Sequence, residues 1–238
     1  MDKINKLCVC HYTPLQERKK FMMEQCKKFK INEKLIFIEK FDKENIPECL
    51  LNLFDEKKLK KCEISLFLKH IHAMGKIVSD DYGIIMEDDT IFKDKFIEKF
   101  NNLTNILPEN FDVLYVGVFP FYDFYKKKYN RDNPIPKNAE KVGEFYNMKE
   151  TIVFPWTGNN KGTDFYIISK KCCKMFLEYF KFLMINKQKI SLPIDHFMGL
   201  FLFDKKANIF WSDQEISIHG SWGEGYNKNC VFKNSMGH

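Results

Sequence analysis

Short apolar runs alternate along the chain with longer segments in which apolar residues recur every three or four positions. The run in Lys6–His11 is typical of a buried strand, and Leu35–Ile38 is predicted to be a second strand. Between them, Leu15–Phe29 has the apolar spacing of an amphipathic helix. A strand, a helix and a second strand in this order form a βαβ unit, so we predict that the two strands are parallel.

The alternation continues to about residue 118, and no internal repeat interrupts it. Ile64–Val78 has apolar residues at helical spacing, and the apolar run at residues 83–86 predicts the next strand. A helix is expected from about Lys93, and another strand at Phe111–Val118. This order of elements predicts an α/β fold.

Three further strands and two helices are predicted in the last third of the chain. The strands are expected at Thr151–Trp156, Asp164–Ile168 and Asn208–Trp211. One helix follows Ser169, a favourable N-cap residue, and runs through Met184. The second helix opens within Leu192–Asp195 and ends near Phe203.

Two segments lack this regular pattern. Residues 119–148 are rich in Tyr, Phe, Lys, Asn and Pro, and loops of this length are usually functional or mobile. Their aromatic side chains could form a wall for a sugar or a peptide, or they could pack onto the domain. Residues 217–238 begin with a Gly-rich stretch that carries His219, so we expect a C-terminal loop that closes over a bound substrate.

The composition narrows the class of protein. With 238 residues, of which 45% are hydrophobic and 29% charged, the chain can bury a substantial core. The net charge of +6 comes mostly from scattered lysines, which suits anionic ligands better than nucleic acid. The eight cysteines form no CxxC pair, so we expect reduced, mostly buried thiols and no structural zinc. We see neither a transmembrane segment nor a signal peptide, and expect a soluble, cytoplasmic protein.

Three consecutive acids, Glu87, Asp88 and Asp89, directly follow the apolar run of the third strand. Open α/β sheets bind ligands at the carboxyl ends of their strands, where Tyr12 and Arg18 are also expected. Adjacent carboxylates repel one another unless a cation lies among them, and Mg²⁺-type ions combine one or two carboxylates with substrate phosphates. The stretch therefore indicates a metal and phosphate site, and a solvated turn that caps the next helix is the alternative.

Several motifs, in order along the chain, resemble those of glycosyltransferase family 25, which includes lipopolysaccharide glycosyltransferases and collagen galactosyltransferases. The central match is Ile85–Phe92, which is similar to the family's apolar strand followed by Glu-Asp-Asp. Glu63–Met74 is similar to the family helix that carries a Ser-His pair: His70 matches the His, and Lys69 replaces the Ser. Further matches are Gly162–Ser169, which resembles the segment Thr-x-Ala-Tyr-Ile-Ile-Ser, and Leu192–Phe197, which resembles Pro-x-Asp.

The resemblance implies a single-domain GT-A-like fold over residues 1–238, with a Rossmann-like, mixed and mostly parallel sheet flanked by helices. It also implies a nucleotide-sugar donor, usually UDP-linked, and Mn²⁺ or Mg²⁺. The sugar would pass, with inversion, to a hydroxyl group of a glycan or protein acceptor.

On this basis, residues are assigned to the metal and to the donor. Asp89 is expected to be the first metal ligand, with Asp88 and His219 as further ligands. The residues expected to contact the donor are Glu87, Asp88, Tyr12, Arg18 and His70.

Asp195 is expected to be the general base, because a helix N-terminus keeps a carboxylate ionised, and Asp164 is the reserve candidate. A structural N-cap is the alternative role for Asp195. Two other classes of protein remain open. One is a non-catalytic, glycosyltransferase-like domain that binds a nucleotide or a partner protein. The other is a nucleotidyltransferase, which would typically show a Gly-rich phosphate loop near the first strand.

Overall fold

The structure is a computed structural model, and it describes residues 5–116, 153–155, 163–212 and 216–220. The strands are β1 (Leu7–Cys10), β2 (Leu35–Ile38), β3 (Tyr82–Glu87), β4 (Thr90–Phe92), β5 (Val113–Tyr115), β6 (Val153–Pro155), β7 (Phe165–Ser169), β8 (Ile209–Ser212) and β9 (Ser217–His219). The helices are α1 (Gln16–Lys28), α2 (Glu48–Leu51), α3 (Lys61–Ile77), α4 (Phe96–Ile106), α5 (Lys170–Ile185) and α6 (Ile194–Asp204), with a 3₁₀ turn at Asn32–Lys34.

Within the described ranges, seven strands form one sheet in the order β2-β1-β3-β7-β5-β8-β6. β1 is parallel to β2 and β3, and β5 is parallel to β8. β7 lies antiparallel between β3 and β5, and β6 pairs antiparallel with β8. Five of these seven strands therefore run in one direction, which confirms the predicted α/β class with a mixed, mostly parallel sheet.

Alternate strand residues pack against helices on opposite faces of the sheet. Cys8 and Ile85 belong to the hydrophobic cluster that also contains the buried side chains of α3, α5 and α6. Val9 and Ile84, their neighbours in the chain, belong to the cluster that contains α1 and α4. All four side chains are fully buried. The apolar runs of β1 and β3 are thus buried on both faces, whereas Leu35, Ile36 and Phe37 of the edge strand β2 are partly exposed. The predicted βαβ unit is confirmed.

The segment after the three acids differs from the prediction. Thr90–Phe92 forms β4, which pairs antiparallel with β9 in a separate two-stranded sheet, so α4 begins at Phe96 and not near Lys93. Gln25 of α1 holds β4 in place: its amide nitrogen donates to the Thr90 carbonyl oxygen, and its side-chain oxygen accepts from the Phe92 amide. Neither Asp89 nor Thr90 caps α4, since its N-cap residue is Lys95.

Several smaller predictions can also be compared with the structure. The Ser169 hydroxyl accepts a hydrogen bond from the Cys172 amide, as expected of an N-cap. In the ranges that the structure describes, seven cysteines are free and five of them are buried. None of the helices in these ranges is long and apolar enough to cross a membrane. The predicted loop at 119–148 and residues 221–238 of the predicted C-terminal loop lie outside the described residues.

Gly83 in β3 leaves room for a neighbouring core side chain, which gives a test of the packing. A Cβ atom at Gly83 would lie 2.7 Å from Cγ1 of the fully buried Ile77, whereas at Gly75 in α3 it would meet nothing within 4 Å. We expect Gly83→Ala to lower the free energy of unfolding by about 1–3 kcal/mol. Gly75→Ala, the matched control, should raise it by roughly 0.5–1 kcal/mol. Urea denaturation measures both, and equal effects would contradict the close packing.

Candidate functional site

The three acids at the end of β3 have different surroundings. Glu87 is the last residue of β3 and is partly exposed. Asp88 and Asp89 form the turn to β4, and only 5% and 4% of their surfaces are exposed. Because a buried carboxylate needs compensating partners, the neighbours of each acid indicate what it does.

Asp88 is held by cationic and hydrogen-bonding groups from the end of β1 and from α1. Its Oδ1 accepts from Nη1 of the buried Arg18 at 2.8 Å, and its Oδ2 lies 2.8 Å from Nδ1 of His11. The Tyr12 amide donates to the same Oδ2 at 3.2 Å. Burial by itself raises the pKa of Asp88, but the hydrogen bonds from His11 and Arg18 outweigh it, so the pKa is lowered. Asp88 is therefore ionised, and its contacts hold the turn between β3 and β4 in place.

A second buried ion pair, between Lys69 and Asp42, holds the loop that follows β1. Lys69 Nζ donates to the His11 carbonyl oxygen and to Asp42 Oδ1, each at 2.6 Å. All three residues are buried. Burial favours the neutral form of Asp42, but the hydrogen bonds from Lys69 and Thr13 prevail and lower its pKa. Lys69 thus fixes the backbone that presents His11 to Asp88.

Glu87, Asp89 and His219 converge on one point. One ligand atom from each lies within 4.8 Å of the other two. The pairing of β4 with β9 places Thr90 opposite His219, and the Gly220 amide donates to the Asp89 carbonyl oxygen at 2.7 Å. His219 Nδ1 lies 3.6 Å from Asp89 Oδ2. His219 was expected in a loop, but it belongs to a strand that holds it beside the acids.

The chemistry of these three residues fits a divalent cation. Two carboxylates and one imidazole offer oxygen and nitrogen ligands, a set that suits Mn²⁺. Mg²⁺ prefers a full set of oxygen ligands, so an imidazole among the ligands suits Mn²⁺ better than Mg²⁺. Asp88 does not belong to this group, because its two oxygens already accept hydrogen bonds from Arg18 and Tyr12.

Asp164 joins the same cluster because β7 runs antiparallel to β3. The residue that precedes β7 thereby lies next to the residue that ends β3, and the Asp164 carbonyl oxygen accepts from the Glu87 amide at 2.9 Å. Burial raises the pKa of Asp164 to about 6, with His219 opposing the rise and Asp89 adding to it. Burial, together with Asp89, Asp164 and Asp88, also raises the pKa of Glu87. A bound cation would reverse both effects by stabilising the carboxylates.

Three further residues that the sequence assigned to the donor can be placed. Arg18 is buried beside the acids, 2.8 Å from Asp88 and 3.5 Å from Asp89, although cations on helices are usually exposed. Tyr12 lies at the same edge, but its hydroxyl donates to Glu44 at 2.6 Å. His70 is fully buried in the core, where its Nδ1 lies 2.8 Å from the Tyr166 hydroxyl. The structure therefore does not support a donor contact for His70.

The burial of His70 has a measurable consequence for acid stability. Burial lowers its pKa from 6.5 to about 3, so below pH 6.5 the unfolded chain binds a proton that the folded chain does not. Stability should therefore fall as the pH falls. Between pH 7 and pH 5 we expect the wild type to lose about 2 kcal/mol more than His70→Asn, in which an amide replaces Nδ1.

Urea denaturation at the two pH values measures this difference. His72→Asn is the matched control, because His72 is on the same helix but only partly buried. Its removal should change the pH dependence less than the removal of His70. Equal pH dependence of the wild type and His70→Asn would show that His70 is protonated inside the folded protein.

Asp195 lies in the first turn of α6, but it is not the N-cap, which is Pro193. Its Oδ1 accepts from the His196 amide at 2.8 Å, and Oδ2 lies 3.8 Å from His196 Nε2. Of its side chain, 27% is exposed. Within the described part of the chain, its polar partners belong to its own helix and not to the acidic cluster. Asp195 is therefore accessible, but these contacts do not bring it to the proposed metal ligands.

Comparison with known proteins gives the following matches. The family model described as glycosyltransferase family 25 (LPS biosynthesis protein) matches residues 12–198. Among solved structures, the crystal structure of mouse xyloside xylosyltransferase 1, apo form, is similar over 80% of this chain and 67% of that chain. The sequence identity is 12% and the TM-score is 0.37. No curated protein sequence matches this chain significantly.

Proposed function

Because this chain belongs to glycosyltransferase family 25, and is thus a glycosyltransferase, we propose that it moves a hexose from a UDP-linked donor to a hydroxyl group of a glycan or protein acceptor, with Mn²⁺ as cofactor. The observation that carries the proposal is the convergence of Glu87, Asp89 and His219 at the carboxyl end of β3. We propose further that the domain comprises residues 1–238 and has a GT-A fold.

The metal would be held by Glu87, Asp89 and His219. When bound there, it supplies positive charge that offsets the charge developing on the leaving diphosphate. The carboxylates have little freedom to move, since Thr163 donates to Glu87 at 3.2 Å and β4 pairs with β9 next to Asp89. The site is therefore preorganised for the cation, which lowers the cost of ordering ligands when it binds.

Asp88 and Arg18 would act beside the metal. Their ion pair keeps Asp88 ionised and holds the turn, so that Glu87 and Asp89 are presented together. Arg18 also lies 3.5 Å from Asp89, close to where a donor diphosphate would approach. We propose that Arg18 and the backbone around Tyr12 form the donor side of the site, because both lie at the shared edge of β1 and β3.

The proposed inversion sets a condition on the general base. In an inverting transfer the acceptor hydroxyl attacks the sugar carbon from the face opposite the leaving diphosphate. Asp164 lies next to Glu87 and interacts electrostatically with Asp89 and His219, which places it on the side of the proposed leaving group. We therefore retain Asp195 as the proposed base, and assign Asp164 to the metal or to a sugar hydroxyl.

Donor hydrolysis tests the proposal directly. The full chain is incubated with UDP-, GDP- and CMP-sugars, with Mn²⁺ or with EDTA, and the released nucleotide is measured. We expect Mn²⁺-dependent release of UDP from a UDP-hexose. Release that persists in EDTA would contradict metal dependence, and the absence of both donor binding and turnover would favour a non-catalytic domain. Formation of UTP and a sugar phosphate after addition of diphosphate would instead identify a nucleotidyltransferase.

A further inference from the structure

Most of the exposed large apolar side chains that the structure describes lie on α5 and α6. Among the described residues, six large hydrophobic side chains are exposed, and five of them lie on α5 and α6: Phe182, Met184, Ile185, Leu200 and Phe203. The most exposed are Ile185, at 69%, and Phe203, at 58%. The sixth, Met23, lies alone on α1. Single exposed apolar residues are ordinary, whereas a group of them indicates a contact surface.

An aromatic contact joins the two helices that carry these exposed residues. Tyr179 of α5 lies 5.0 Å from Phe201 of α6, measured between ring centroids, and also stacks on Phe182 at 6.2 Å. On α6, Leu200 and Phe203 flank Phe201 in the chain and, being three residues apart, share one face of the helix. We call the residues Phe182, Ile185, Leu200 and Phe203 the α5–α6 surface.

Positive charge accompanies this surface. From Lys170 to Lys206 the sequence contains eight lysines and three acids, a net charge of +5 against +6 for the whole chain. Lys181, Lys187, Lys205 and Lys206 are exposed near the ends of the two helices. Lys205 Nζ lies 5.9 Å from the ring centroids of both Tyr179 and Phe201, so its charge is adjacent to the aromatic contact. Nearly all of the chain's excess charge therefore belongs to the segment that exposes the apolar side chains.

We propose that the α5–α6 surface docks on an anionic lipid bilayer. Apolar side chains on such a helical face enter the boundary between headgroups and acyl chains, while lysines beside them attract anionic headgroups. A second copy of the chain fits less well, because self-association of this surface would bring lysines against lysines. Protein interfaces also tend to exclude lysine, which this segment has in excess.

Vesicle sedimentation with the full chain tests the proposal without any nucleotide or metal. Vesicles of phosphatidylglycerol and phosphatidylcholine are compared with vesicles of phosphatidylcholine alone, at low and at high salt. We expect binding to the anionic vesicles that weakens with salt. Phe182→Ser/Phe203→Ser should lower the partition coefficient at least tenfold, and so should Ile185→Ser/Leu200→Ser.

Met23→Ser is the matched control, because Met23 is 51% exposed and also lies on a helix with lysines, but away from this surface. It should bind vesicles as the wild type does. Equal binding by the double variants and the control would overturn the proposal, and so would equal binding to neutral and anionic vesicles. A concentration-dependent dimer that the double variants abolish would overturn it in favour of self-association. Donor hydrolysis is a separate measurement, so failure here leaves the proposed reaction unaffected.

Discussion

Asp89→Asn should abolish Mn²⁺-dependent donor turnover, with a loss of about 10³-fold or more. Stabilisation of transition-state charge by a metal contributes several kcal/mol, and each 1.4 kcal/mol corresponds to roughly tenfold in rate. Asparagine keeps the volume of this buried side chain but removes the charge that would bind the cation. The substitution is preferable to alanine, because Asp89 is buried and not an exposed residue at a strand end. Donor hydrolysis at saturating Mn²⁺ measures the loss, and electron paramagnetic resonance measures Mn²⁺ binding.

Asp88→Asn is the matched control for this prediction. Asp88 is the adjacent aspartate, equally buried, but its oxygens pair with Arg18 and His11. We expect its loss to lower the free energy of unfolding by about 1–3 kcal/mol, because a buried cation loses its charged partner. Its Mn²⁺ affinity should fall much less than that of Asp89→Asn, because Asp88 holds the turn but is not a proposed ligand. If Asp88→Asn loses Mn²⁺ and Asp89→Asn retains it, Asp88 is the ligand and our assignment is wrong.

The sequence was enough to predict which strand ends lie at the site. It was not enough to predict every residue that meets there. The apolar runs identified β1 and β3, and the acids marked the carboxyl end of β3. The observed register pairs Cys10 with Glu87, which brings the next residue, His11, to Asp88. The sequence indicated that the ends of these strands would be close. It could not reveal that His11 belongs to the site, because a run that is apolar on both faces lacks the alternation that would set its register.

The role of Asp164 depended on the direction of a strand. A short apolar run buried on both faces looks the same whether its strand is parallel or antiparallel to its neighbours. Because β7 runs antiparallel to β3, Asp164 meets Glu87 at the start of its strand and not at the end. From the sequence, Asp164 could be named as a reserve base, but its position beside Glu87 could not be predicted.

Two buried cations show that the position of a charged residue on a helix does not decide whether its side chain is exposed. Arg18 and Lys69 each lie on a helix, where a surface location is usual for a cation. Each is buried because its carboxylate partner arrives from a distant part of the chain, Asp88 for Arg18 and Asp42 for Lys69. Since such pairs are long-range, the departure from the family's Ser at Lys69 could not be interpreted without the structure.

The identity of the general base can be decided by comparing two substitutions, Asp195→Asn and Asp164→Asn. Asparagine at 195 can still accept the hydrogen bond from the His196 amide, but it cannot take a proton from the acceptor hydroxyl. We expect near-normal melting temperature and donor affinity, with transfer lowered by about 10²-fold or more. Asp164→Asn should instead weaken Mn²⁺ binding, because it removes a negative charge that acts on the proposed ligands Asp89 and His219.

The rate of transfer and the affinity for Mn²⁺ must therefore be measured on the same two variants. A base affects the rate at saturating metal and donor, whereas a group at the metal changes the Mn²⁺ concentration needed for half-maximal rate. His196→Gln is the control for Asp195, because it changes the side chain whose Nε2 lies 3.8 Å from Asp195 Oδ2. If Asp195→Asn transfers sugar at the wild-type rate and Asp164→Asn fails at saturating Mn²⁺, the base lies beside the metal. The reaction would then have to be reconsidered as one in which attack and departure occur on the same face of the sugar.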